Sequence, residues 1–101
     1  MYLIDLLNTL ATKANVRLYT EEKIHWPDGN ETARCLGNHY AETWRRALAK
    51  FPNPKAFTLV GSPEYELVGE EPQWCIVIKA ESQKLLELLD ARGNVLYTDL
   101  M

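Results

Sequence analysis

Five clusters of turn-forming residues cut this chain into short segments. They are Pro27-Asp28-Gly29-Asn30, Pro52-Asn53-Pro54, Gly61-Ser62-Pro63, Gly69-Glu70-Glu71-Pro72 and Gly93-Asn94. Glycine supplies positive φ, and proline fixes φ while removing a donor, so each cluster is a stop signal for helix or strand. The longest unbroken apolar run is Trp74–Ile78, far short of the roughly 20 residues a membrane-spanning helix needs. Asp5 interrupts the apolar N-terminus and no basic residue precedes it, which is a poor signal peptide. A cytoplasmic address is the expectation.

With 101 residues, no repeat and no linker, one domain spanning residues 1–101 is expected. Its 47% hydrophobic and 25% charged composition fits an ordinary globular core. Lysines and arginines are scattered, and the net charge is −3. Phosphate-driven nucleic-acid binding needs a concentrated basic surface, so no nucleic-acid partner is expected, and no membrane partner for the same reason. Two cysteines, Cys35 and Cys75, are too few for a secreted disulfide framework.

Residues 2–14 place Leu3, Leu6, Leu7, Leu10, Ala11 and Ala14 at helical spacing. Val16–Thr20 reads as a strand, which Lys23–Trp26 extends or pairs. In 30–51, Ala33, Leu36, Tyr40, Trp44, Ala47 and Phe51 recur at steps of three and four, which predicts a helix with Asp28 and Glu31 as a capping box and Pro52 as its stop. A break at Gly37-Asn38, with Asn38 capping a shorter helix, is the alternative. Ala56–Val60, Glu64–Val68 and Gln73–Lys79 read as strands of an antiparallel meander. Trp74–Ile78 is apolar on both faces and belongs in the middle of the sheet. Residues 81–92 form a helix through Leu85, Leu86, Leu88 and Leu89, capped by Gly93, and Val95–Asp99 is a last strand. The expected fold is α+β: a single, mainly antiparallel sheet of about five strands with about three helices, in the order α-β-α-β-β-β-α-β.

On the predicted helix 30–51, Cys35, His39, Glu42 and Arg46 share one stripe away from the core face. Cys35 and His39, with Glu42, could hold a metal such as zinc. His39 could instead activate the Cys35 thiol, or the stripe could be a partner or dimer surface. The plainest reading is a solvated face carrying a Glu42–Arg46 pair. His25, Cys35, His39 and Cys75 match no zinc-finger spacing. Trp26, Tyr40, Trp44 and Trp74 could line a small-molecule pocket, although aromatics at core spacing are usually core.

Glu64 and Glu66 fall on one face of a strand, with Tyr65 and Leu67 on the other. A metal nuclease would want a carboxylate two residues before Lys79, where Val77 stands. No phosphate-binding loop, dinucleotide fingerprint, nucleophile elbow or His-Glu-x-x-His motif occurs. No cofactor is implied. The expected function is a non-enzymatic protein-interaction module, acting on itself as a homodimer or on a partner through one face of residues 30–51. The alternatives are the aromatic pocket and the site at Cys35, His39 and Glu42.

Overall fold

The computed structural model describes residues 1–99, with the side chains of 68 and 96–99 excepted. In chain order it comprises α1 (Leu3–Leu7), β1 (Asn15–His25), β2 (Glu31–Tyr40), α2 (Ala41–Ala49), a short 3-10 turn, β3 (Phe57–Leu59), β4 (Glu64–Val68), β5 (Glu71–Ala80) and α3 (Gln83–Asp99). Five strands form one mixed sheet and three helices accompany it, an α+β fold. The membership of these elements differs from the sequence reading in four places.

The first helix is shorter than residues 2–14. After Leu7 the chain tightens: the Thr9 hydroxyl donates to the Leu6 carbonyl at 2.7 Å, a local bond that competes with further helix. Residues 12–14 then serve another element. The carbonyls of Ala14 and Thr12 accept from the amides of Ala41 and Glu42, satisfying two orphan donors at the start of α2.

Residues 31–40 are strand, not helix. Asp28 does not cap a helix; its carboxylate accepts from the Asn30 amide in the turn joining β1 to β2, where Gly29 takes a φ of 88°. The two strands run antiparallel, and their register steps from Leu18 opposite Gly37 to Tyr19 opposite Cys35. Leu36 is thus an extra residue, a β-bulge. Only Ala41–Ala49 is helical in this stretch, with Ala41, Trp44, Ala47 and Leu48 buried.

β5 is central, as its apolar run predicts. β1 lies parallel to one side of it, Val16 opposite Trp74 through Thr20 opposite Ile78. β3 and β4 do not pair as a meander hairpin. Both lie antiparallel on the other side of β5, β3 against Ile78–Ala80 and β4 against Glu71–Cys75. Residues 60–63, with Gly61 at a φ of 71°, break this edge into two pieces. Sequence-local reading could not see the parallel β1–β5 contact, because its strands are separated by half the chain.

α3 runs through Gly93 to Asp99, so the predicted strand Val95–Asp99 is helix. Its first turn is capped by the Ser82 hydroxyl, which accepts from Leu85 N at 3.3 Å. Gly93 is buried, and a Cβ there would meet Trp44 at 2.9 Å. It is the contact point of α3 on the core rather than a cap.

The core lies between sheet and helices. Val16, Leu18, Ile76 and Ile78 meet Leu3, Leu7, Trp44, Leu48 and Leu89 in one buried cluster. The residues alternating with them on β1 and β5 (Arg17, Tyr19, Cys75 and Val77) are half-buried, as on a sheet face without a helical layer. No helix of the described residues is long and apolar enough to cross a membrane.

Candidate functional site

The stripe predicted on residues 30–51 is divided between a strand and a helix. Cys35 is exposed on β2, opposite Tyr19. His39 is buried on the same strand, opposite Val16. The bulge at Leu36 separates them: one extra residue moves everything before it to the other face. Glu42 and Arg46 lie on α2 and contact each other at 3.3 Å. Among the described residues no three His, Cys, Asp or Glu side chains are placed to hold a metal ion.

His39 packs edge-on against Trp44, ring centroids 4.8 Å apart. Burial holds its pKa below the ordinary value, opposed by a hydrogen bond with Asn94 and by the nearby Asp90 carboxylate. Glu42 is held below its usual range, mainly by Arg45 and further by Arg46. Arg45 does structural work: its Nη1 donates to the carbonyls of Leu7 at 2.6 Å and Leu10 at 3.2 Å. It closes the C-terminal end of α1.

Both cysteines are free thiols. Burial, then the Glu66 carboxylate that accepts its hydrogen bond at 3.1 Å, pushes the Cys75 thiol up to about 11. It is protonated at neutral pH, the reverse of an activated nucleophile.

The aromatic residues do not converge. Trp44 is fully buried, and its Nε1 donates to the Val16 carbonyl at 3.0 Å. Trp26 and Tyr40 are exposed at different ends of β2. Trp74 is half-buried and meets Tyr65, centroids 4.9 Å apart. An open groove of about 560 Å³ runs between Tyr2, Lys55 and Lys79 instead. Both lysines are exposed, so it offers a small molecule no rigid polar geometry.

Two other surfaces emerge. Beyond Thr20, β1 leaves β5 and pairs only with β2 among the described residues. Three residues, 20–22, lie opposite Arg34 at the root. The outer part is a two-stranded arm in which residues 21–33 are all exposed. On one face Lys23 pairs with Glu31 at 4.0 Å, and His25 Nδ1 lies 3.1 Å from the Glu31 carboxylate. Ile24 and Trp26 fall on the other, with the Trp26 Nε1 donating to Thr32. Trp26 is legible in the sequence as an aromatic residue; the two-residue period of an extended segment sets Ile24 on its face, and the sheet pairing leaves both exposed.

The second surface is β4, where Tyr65 and Leu67 are 59% and 71% exposed. Their alternation with Glu64 and Glu66 was legible from the two-residue period. No family model matches the chain, and no curated protein or solved structure matches it.

Proposed function

We propose that this chain is a non-enzymatic, cytoplasmic protein-interaction module that self-associates through the β1–β2 arm. The observation that carries the reading is the pair Ile24 and Trp26, on one face and exposed, on an arm with no third strand among the described residues. An isolated two-stranded ribbon is at best marginally stable in water, and covering its apolar face stabilises it. Two copies related by a two-fold axis can lay these faces together, because a two-fold contact uses the same patch twice. The face carrying Lys23, His25 and Glu31 remains in water, and the Arg34–Glu22 pair lies at the root of the arm. The acids of the arm (Glu21, Glu22, Asp28 and Glu31) outnumber its bases (Lys23 and Arg34), which supports a protein contact over a nucleic-acid one.

Such a contact is at the small end of interface sizes, so a reversible dimer is expected. Sedimentation equilibrium across a concentration series tests it. A dimer that dissociates on dilution, and that Ile24→Ser with Trp26→Ser abolishes, is the expected result. A monomer at every concentration, or a dimer indifferent to both substitutions, overturns the reading.

A further inference from the structure

β4 is an edge strand. One side pairs with β5, and among the described residues nothing pairs with the other. It therefore offers a row of open backbone donors and acceptors, the usual template for adding a strand. Its apolar side chains, Tyr65 and Leu67, lie on the face shared with Trp74. Here α1 ends at Leu7 and leaves the sheet end uncovered. A groove of about 410 Å³ results, lined by Leu10, Ala11, Lys13, Tyr65, Pro72 and Trp74. The opposite face of the strand carries Glu64 and Glu66, the turn that follows carries Glu70, and β5 begins with Glu71, all exposed.

These charges decide the occupant. In antiparallel pairings of two β4 strands that keep both helical layers on one side, Glu66 faces Glu66 when the pair is centred on Glu66. Glu64 faces Glu66 when it is centred on Tyr65, and Glu64 is brought toward Glu70 when it is centred on Leu67. Like charges directly opposite are destabilising. The arm does not fit either, since Glu21, Glu22, Asp28 and Glu31 outnumber Lys23 and Arg34. A strand with basic residues on one side and apolar residues on the other is complementary on both faces.

We propose that β4 is a docking edge for an extended segment of another protein in which lysine or arginine alternates with apolar residues. The partner strand adds to the sheet beside β4. Its apolar side chains cover Tyr65 and Leu67, and its basic side chains face Glu64 and Glu66. This surface is separate from the arm, so it does not depend on self-association.

The test uses three synthetic heptapeptides: alternating Lys/Val, alternating Lys/Ser and alternating Glu/Val. Backbone amide shifts of the full chain report binding. The Lys/Val peptide is expected to bind and to shift the amides of residues 64–68. The other two should bind about tenfold or more weakly, a loss of about 1.4 kcal/mol. Leu67→Asp, and Glu64→Lys with Glu66→Lys, should each weaken the Lys/Val peptide by a similar factor. These side chains are exposed, so unchanged far-ultraviolet circular dichroism is expected. Ile24→Ser with Trp26→Ser should leave binding intact, whatever the oligomeric state. Equal binding of the Lys/Ser peptide, shifts outside β4 and its groove, or indifference to Leu67→Asp overturns the proposal. So does a wild-type dimer that Leu67→Asp dissociates, since a second copy would then be the occupant.

Discussion

The backbone of Gly93 lies against the ring of Trp44 so closely that a Cβ at position 93 would stand 2.9 Å from Cζ3. The ring cannot retreat, because it is fully buried and its Nε1 is bonded to Val16. Two effects oppose each other in Gly93→Ala. Alanine gains about 1 kcal/mol of helix propensity, while overpacking a filled core costs about 1–3 kcal/mol. The clash wins, so urea unfolding should show a net loss of about 1 kcal/mol. Gly37→Ala meets its nearest neighbour, His39 Nε2, at 3.3 Å, and its steric cost should be smaller. A Gly93→Ala variant more stable than wild type would contradict the packing described.

His39 makes stability depend on pH. Its folded pKa lies below the ordinary 6.5, so on acidification the unfolded chain takes up the proton first. Stability is therefore fully present above about 6.5 and is lost as pH falls through that value toward the folded pKa. Asp90 and Asn94 soften the loss by favouring the charged ring. Chemical denaturation at pH 7.5, 6.5 and 5.5 (about one unit apart on either side of the reference pKa) should show a falling midpoint. His39→Gln should flatten that slope, and an unchanged slope would refute the assignment.

Arg45 and Arg46 both contact Glu42, yet their substitutions should differ. Arg45 is the more buried and also serves two carbonyls at the end of α1. Arg45→Met removes the donor to the Leu10 carbonyl and to Glu42 Oε2, and one of the two donors to the Leu7 carbonyl, costing about 1–3 kcal/mol. Arg46 is exposed and holds one ion-pair contact with Glu42, so Arg46→Ala should cost about 0.5 kcal/mol or less. Thermal melts of the two variants check the contrast; equal losses would mean that Arg45 does not hold α1.

Why were some of these features legible and others not? Strand β5 announced itself through five consecutive apolar residues, and β4 through Tyr65 and Leu67 alternating with Glu64 and Glu66. Both signals are local. The helical spacing of Trp44, Ala47 and Phe51 is also real, but it continues by coincidence through Tyr40, Leu36 and Ala33. Pairing with β1 overrides it there, and the bulge at Leu36 lets a strand show helix-like steps. Only a helical period carried through residues 33–40 would place Cys35, His39, Glu42 and Arg46 on one face. Gly93 carries the same local signal whether it caps a helix or admits an aromatic ring, and only its distant neighbour Trp44 decides between them. The arm depends on distant partners differently: the two-residue period alone puts Ile24 beside Trp26, but their exposure follows from β1 leaving β5 beyond Thr20.

The two thiols provide the last prediction. Cys35 is exposed, whereas Cys75 is half-buried, donates to Glu66 and has a pKa near 11. Alkylation proceeds through the thiolate, and at pH 8 a thiol with that pKa is ionised to only about one part in a thousand. Brief iodoacetamide treatment of the native protein at pH 8 should therefore label Cys35 and spare Cys75, as read by peptide mass spectrometry. Glu66→Gln removes the negative charge beside Cys75, though not its burial, which is the larger cause. Labelling of Cys75 should rise in that variant without reaching the level of Cys35. If both cysteines label equally in the wild type, Cys75 is not shielded and the Glu66 contact does not hold it protonated.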